Sequence, residues 1–173
     1  MVWLKVRHAF TFSPESQSHL HSHYPQLVLE ILNLTLPAAL QTLLPNAVPV
    51  NHLGLFREPT TLQPVEYYNN LPFHKAPNST NTSAAQLAIL LDPVIATGGT
   101  CAAAIQTLRE WGVQKILVIA VLGNEDGLRR ASQESAEGVE IWVGDVDKGI
   151  NARGMIIPGI GDVGDRLFLT LGK

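Results

Sequence analysis

Within nine positions, Asp92-Pro93-Val94-Ile95-Ala96-Thr97-Gly98-Gly99-Thr100 carries one carboxylate, two hydroxyls and two adjacent glycines. Gly98 and Gly99 let successive N–H groups converge on one point. A helix beginning there adds partial positive charge, and the combination makes a seat for a phosphate. Thr97 and Thr100 can add hydroxyl donors, and Asp92 suits the hydroxyls of a sugar bearing that phosphate. The loop is not a Walker loop: G-x-x-x-x-G-K-[ST] has no match, and no lysine lies between Lys75 and Lys115. Taken alone, T-G-G-T also reads as a glycine turn with a threonine helix cap.

A second stretch, Pro158 to Arg166, reads PGIGDVGDR, and its Gly159-x-Gly161-x-x-Gly164 spells the fingerprint of dinucleotide-binding proteins. That fingerprint has mechanical meaning only between a strand and a helix, with an acidic residue about 20 positions later in a βαβ unit. Nine residues follow Gly164, too few for a helix, a second strand and a ribose-binding acid. A nicotinamide or flavin reading therefore fails. Without the first motif, PGIGDVGD reads equally as a surface turn.

The elements that must position these loops follow from hydrophobic period. Leu87 to Leu91 is a short continuous apolar run of the kind buried in a parallel sheet, ended by Asp92-Pro93. Thr100 to Trp111 has small or apolar residues at Cys101, Ala104, Ile105, Leu108 and Trp111, an amphipathic helix stopped by Gly112. Ile116 to Leu122 predicts a second buried strand, Asn124 to Ser135 a helix and Val139 to Val143 a third strand. Strands alternating with helices of these lengths imply a mainly parallel sheet with flanking helices, an α/β fold. Upstream, Gln26 to Leu44 suits a helix interrupted at Pro37, Val50 to Phe56 a strand, and Gln63-Pro64 a polar connection. Residues 1 to 25 show no sustained period, and HKAPNSTNTS, His74 to Ser83, has the composition of an exposed loop.

The chain of 173 residues is long enough for one compact core, and 12 Lys plus Arg against 15 Asp plus Glu give no electrostatic reason to expect nucleic acid or an anionic membrane as partner. Charged residues at 16% fit extensive buried surface or a subunit interface. One cysteine, Cys101, excludes an internal disulfide, and no apolar run reaches the length of a membrane span or a signal peptide, so the cytoplasm is the simplest compartment. Three N-x-[ST] triplets matter only in a secreted chain. His19, His21 and His23 could bind a metal but have no carboxylate cluster beside them and read as solvated. Cys101 reads as a small residue packed behind the phosphate loop, and Trp3, Trp111 and Trp142 as packing residues.

DPVIATGGT followed by an amphipathic helix, with MIIPGIGDVGDRLF near the end, resembles the uracil phosphoribosyltransferase family. The likeness runs from about Leu53 to Thr170. It takes in Leu55-Phe56-Arg57-Glu58, Thr61-Leu62-Gln63-Pro64-Val65 and Asp147-Lys148-Gly149-Ile150-Asn151. The resemblance implies a single phosphoribosyltransferase-like domain over 1–173: an N-terminal segment at 1–45 that diverges, a loop insertion at 74–86 and a C-terminal uracil-binding hood at 145–173. It implies that Asp92, Pro93, Val94, Ile95, Ala96, Thr97, Gly98, Gly99 and Thr100 grip the ribose phosphate of phosphoribosyl pyrophosphate (PRPP), with Arg57 and Asp162 reaching other parts of that donor. Ile156, Gly161, Asp162 and Val163 would line the uracil pocket, and Asp92, Asp162 and Arg57 would be the catalytic residues. Mg²⁺ would arrive on the pyrophosphate, no protein group binding it directly; a homodimer and GTP as an effector are further implications.

The sequence departs from the family upstream. The family has an Arg-Ala-Gly segment that closes over the pyrophosphate, and the corresponding Glu30-Ile31-Leu32-Asn33-Leu34-Thr35-Leu36 has neither the arginine nor the glycine. An arginine offers fixed bidentate donors that Asn33 and Thr35 do not replace. Two expectations follow: an enzyme making UMP and pyrophosphate from uracil and PRPP, or a catalytically impaired homologue that binds PRPP or uracil in a regulatory or assembly role.

Overall fold

The computed structural model describes residues 4–6, 26–30, 35–58, 60–61, 63–71, 85–135 and 137–169. In chain order these form β1 (Leu4–Val6), β2 (Gln26–Glu30), α1 (Thr35–Leu43), β3 (Val50–Arg57), β4 (Pro64–Asn69), β5 (Leu87–Leu91), β6 (Val94–Ile95), α2 (Gly99–Glu110), β7 (Lys115–Asn124), α3 (Glu125–Gln133), β8 (Val139–Asp147), β9 (Gly149–Ile150), β10 (Ile156–Ile157) and α4 (Val163–Phe168). The main sheet runs β1-β8-β7-β5-β2-β3-β4, with the two-residue β6 also paired to β7. Every described pairing in it is parallel except β3 with β4. The expected α/β fold with a mainly parallel sheet is present.

The period-two alternation of a strand explains the layers. On β5, Ala88 and Leu90 face one core with Cys101, Ala104, Ile105 and Leu108 of α2 and Leu128 and Ala131 of α3. Ile89 and Leu91 face the other way, against Leu40 and Leu44 at the end of α1. All four of these β5 residues are essentially inaccessible, and burying a Leu or Ile side chain contributes roughly 1.5–3 kcal/mol. A strand covered on both faces must be apolar throughout, which is why LAILL reads as an unbroken run.

The strand order reverses direction between β2 and β5. The chain leaves β2 toward β3 on one side, whereas β5 leads through α2 to β7 on the other. In open α/β sheets the crevice at such a point, outside the carboxyl ends of the strands, is where ligands bind. Glu30 and Leu91, the last residues of β2 and β5, are register partners there, so Asp92 stands at its lip.

Two upstream expectations are corrected. Gln26–Glu30 is not the start of a helix but a strand bonded to β3 and β5, because pairing on both sides outweighs a local helical period. Pro37 does not interrupt a helix; it is the third residue of α1, in the first turn, where a missing N–H has no carbonyl to lose. The connection at Gln63-Pro64 leads directly into a strand unseen in the sequence, with Pro64 as its first residue on the sheet edge, a place that tolerates proline. The loop expected at His74 to Ser83 and the three histidines of 19–23 lie outside the described residues.

Candidate functional site

The loop after β5 is shaped by its own backbone and by α3. Gly98, φ 75°, is the N-cap of α2 and brings no side chain to cap it. A helix begins with amides that have no carbonyl partner within the helix, so α2 presents donors here together with the positive end of its dipole. A Cβ on Gly98 would lie 2.1 Å from the carbonyl oxygen of Gly127, and one on Gly127 would lie 2.0 Å from that of Ala96. The loop and the first turn of α3 thus touch backbone to backbone. Asn124 caps α3: its Oδ1 accepts from the N–H of Asp126 at 3.0 Å and of Gly127 at 3.4 Å.

The C-terminal segment has a different construction. β9 and β10 form a two-residue antiparallel pair. Asn151 holds the turn between them, its Oδ1 accepting from the N–H groups of Arg153 and Met155. Asp147 Oδ2 accepts from the N–H of Gly159 at 3.0 Å, and Arg166 donates to the carbonyl of Ile160 at 2.9 Å. Asp147 and Asn151, which in the sequence are only part of the family likeness, are therefore the two side chains that fix this hairpin. The Ile157–Pro158 peptide is cis. Asp162 caps α4 through Oδ1, which accepts from the N–H of Asp165 at 2.9 Å.

The two segments, about sixty positions apart in sequence, line one cavity of about 350 Å³. Asp92, Pro93, Val94, Ile95, Ala96, Thr97, Gly98 and Thr100 lie on its wall together with Ile156, Gly161, Asp162 and Val163. Gly99 stands behind the lining, beneath the guanidinium of Arg130. Arg57 ends β3 next to Phe56, which does line the cavity; the Arg57 side chain lies outside the described residues. Sequence reading did not single out Leu122, Met155, Ile160 or Gly164 as lining residues. It also missed Gly127, whose signal is a glycine inside a helix, where its backbone entropy disfavours it unless another chain segment comes close.

The electrostatics are sparse. Asp92 is buried, and Cys101, wholly buried on the same wall, has its thiol pushed well above the usual range by desolvation and then by the negative charge of Asp92. Outside the cavity, the Glu58 carboxyl is held down at about 2 by hydrogen bonds from Thr61 and Thr60, fixing the turn that follows Arg57. Among the described residues no group of three or more His, Cys, Asp or Glu is arranged to hold a metal ion, and no helix is long and apolar enough to cross a membrane. The cavity can seat an anion at one end and a flat polar ring at the other.

A model of the family described as uracil phosphoribosyltransferase matches residues 33–170. The chain belongs to the uracil phosphoribosyltransferase family. It is 47% identical over 135 residues to a Schizosaccharomyces pombe protein provisionally named uracil phosphoribosyltransferase urg2, covering 78% of this chain and 60% of that one. It is 41% identical over 128 residues to the uracil phosphoribosyltransferase of Caldanaerobacter subterraneus subsp. tengcongensis, covering 74% and 56%. Among solved structures it resembles the AQ2163 protein of Aquifex aeolicus, with TM-score 0.71, 32% identity and coverage of 84% of this chain and 65% of that one. The chain spans about three fifths of the length of the curated relatives it matches.

Proposed function

We propose that the protein is a uracil phosphoribosyltransferase, a pentosyltransferase that joins uracil to the ribosyl carbon of PRPP to give UMP and pyrophosphate, the reaction of pyrimidine salvage. The observation that carries this reading is the single cavity walled by both loops. The phosphate of PRPP would sit on the amides of Gly98 to Cys101 with Thr97 and Thr100 as hydroxyl donors, and Asp92 would take the ribose hydroxyls. Uracil would lie against Ile156, Gly161, Asp162 and Val163, with Arg57 and Asp162 reaching the pyrophosphate side of the donor.

In this reaction the bond from the anomeric carbon to the pyrophosphate oxygen breaks, the bond to uracil N1 forms, and the N1 proton is released. Positive charge develops on the ribosyl centre between these events. Positioning and charge stabilisation therefore carry the catalysis, which suits a wall with carboxylates and oriented amides and no nucleophile–base pair. Uracil presents carbonyl acceptors and ring N–H donors that a glycine-rich backbone can complement. Cytosine would turn one acceptor into a donor and leave a mismatched pair away from water, a strong discrimination. Mg²⁺ belongs to this reading as an ion carried on the donor's pyrophosphate, whose charge it would neutralise, with Asp92 and Asp162 the carboxylates on the wall it would approach. The reading extends to a homo-oligomer, GTP as an effector and a cytoplasmic location.

The test is direct assay of UMP and pyrophosphate from uracil, PRPP and Mg²⁺. Stoichiometric appearance of both with uracil and none with cytosine is expected. Binding of PRPP or uracil by calorimetry without any turnover would replace this reading with that of a binding homologue.

A further inference from the structure

β7 and β8 end together, with Asn124 and Asp147 as the last register partners of their ladder. Asn124 is 1% exposed and uses both ends of its amide. Oδ1 caps α3 at Asp126 and Gly127, while Nδ2 donates to the backbone carbonyl of Asp147 at 3.0 Å. Gly127 is the residue whose backbone touches Ala96 and Gly98 in the phosphate loop. Asp147 is the residue whose carboxylate holds Gly159 at the start of the proposed base loop. Contacts therefore run without a break from Ala96 and Gly98, through Gly127, Asn124 and Asp147, to Gly159.

We propose that Asn124 and Asp147 act as a brace that sets the distance between the two halves of the cavity, and are positioning residues for simultaneous occupancy by donor and base. This rests on the functional reading above. The brace matters most on the side of the base segment. Among the described side chains of the base segment, Ile156 is the large apolar one that is buried, and Ile157 and Ile160 are exposed. Hydrogen bonds help to place this segment, and the bond from the Gly159 N–H to Asp147 refers it to the end of β8. Transfer at the anomeric carbon is sensitive to displacements of an ångström between reacting groups, so loosening the brace reduces rate and base affinity before it reduces fold stability.

The variants separate bracing from capping. Asn124→Ser keeps a good N-cap for α3 but is too short to reach Asp147. Asp147→Ala removes the acceptor of the Gly159 N–H, and Asp147→Asn keeps an acceptor oxygen there. Loss of one such bond corresponds to a change of several-fold to about tenfold. Asn124→Ser and Asp147→Ala are expected to raise the KM for uracil by about that factor and lower kcat, with the Kd for PRPP alone within about twofold of wild type. Asp147→Asn is expected to recover most of the uracil KM. By NMR, the Gly159 amide should exchange with solvent about tenfold faster in Asp147→Ala and in Asn124→Ser, and near the wild-type rate in Asp147→Asn. The brace is refuted if uracil KM and Gly159 exchange are unchanged in Asn124→Ser, or if the Kd for PRPP and the KM for uracil rise in equal proportion with a fall in thermal midpoint. If wild-type protein forms no UMP, the functional reading fails by itself, and the Gly159 exchange rates still decide whether the two ends are mechanically joined.

Discussion

The two walls of the cavity are built on opposite plans. The wall proposed for the phosphate, the phosphate wall, is a junction of β5, α2 and α3 in which Gly98, Gly99 and Gly127 are buried and the backbones of Ala96–Gly98 and Gly127 meet with no space for a Cβ on Gly98 or Gly127. The wall proposed for the base, the base wall, is an open hairpin and a six-residue helix, with Ile157 50% and Ile160 38% exposed and nothing within 4 Å of the place where a Cβ would stand on Gly161. One wall is packed backbone against backbone. The other is held by side-chain-to-backbone bonds from Asp147, Asn151 and Arg166. Under the proposed function, a phosphate-bearing donor needs a fixed seat, whereas discrimination between bases needs exposed backbone polar groups that a ring can reach.

The contrast predicts unequal penalties for the same chemical change. Gly127→Ala forces a methyl to within 2.0 Å of the Ala96 carbonyl oxygen, a backbone atom that cannot yield cheaply. Either α3 or the phosphate loop must shift. The expected result is destabilisation of about 2–4 kcal/mol, read from denaturant unfolding, and loss of PRPP binding by about 100-fold or more, read by calorimetry. An undisturbed Gly127→Ala protein would show that the phosphate wall is not a packed junction. Gly161→Ala has open space around the new methyl and suffers only from its φ of 71°. It should lose about 1–2 kcal/mol from the left-handed backbone, leave PRPP affinity within about twofold and raise the KM for uracil about five- to tenfold. Equal effects of the two substitutions on PRPP affinity would erase the distinction between the walls.

How far the sequence revealed each wall follows the same division. The strand, loop and helix from Leu87 to Glu110 are a local pattern, apolar run, Asp-Pro, paired glycines and a 3.6-residue period, so the elements, and the loop that lines the cavity, could be read in place. The α3 helix and strands β7 and β8 were legible for the same reason. The base segment has two-residue strands and a short helix in which Asp147, Asn151 and Arg166 reach across turns, and no periodicity records such bonds. Its glycines were visible; their role came only with the resemblance to a family. β2 was misread because Gln26–Glu30 owes its extended form to β3 and β5, which are distant in sequence. Gly127 and Asn124 act across about thirty residues on one side and twenty on the other, contacts for which spacing along a chain gives no rule. The upstream departure from the family, Glu30 to Leu36, includes residues 31–34, which lie outside the described residues, so its consequence is read from the turnover assay.

The smallest expected effect tests how dry the phosphate wall is. Cys101 occupies the first turn of α2, where the helix dipole alone would favour a thiolate. Burial acts in the opposite sense and is the larger cause, with the carboxylate of Asp92 adding to it, so the thiol is held well above its usual value. The folded state then keeps a proton that the unfolded chain releases as pH rises past the ordinary thiol range. Stability is therefore expected to fall with pH from about 8 upward, and the part due to this residue should vanish in Cys101→Ala, as read from the thermal midpoint across that range. At pH 8 alkylation of Cys101 should be slower than that of a free thiol by at least about tenfold. Asp92→Asn removes the charge and leaves the burial, so it should speed alkylation only a few-fold if desolvation dominates. Reactivity in Asp92→Asn equal to that of a free thiol would mean that water enters behind the loop, and that the phosphate wall is held by charge and not by packing.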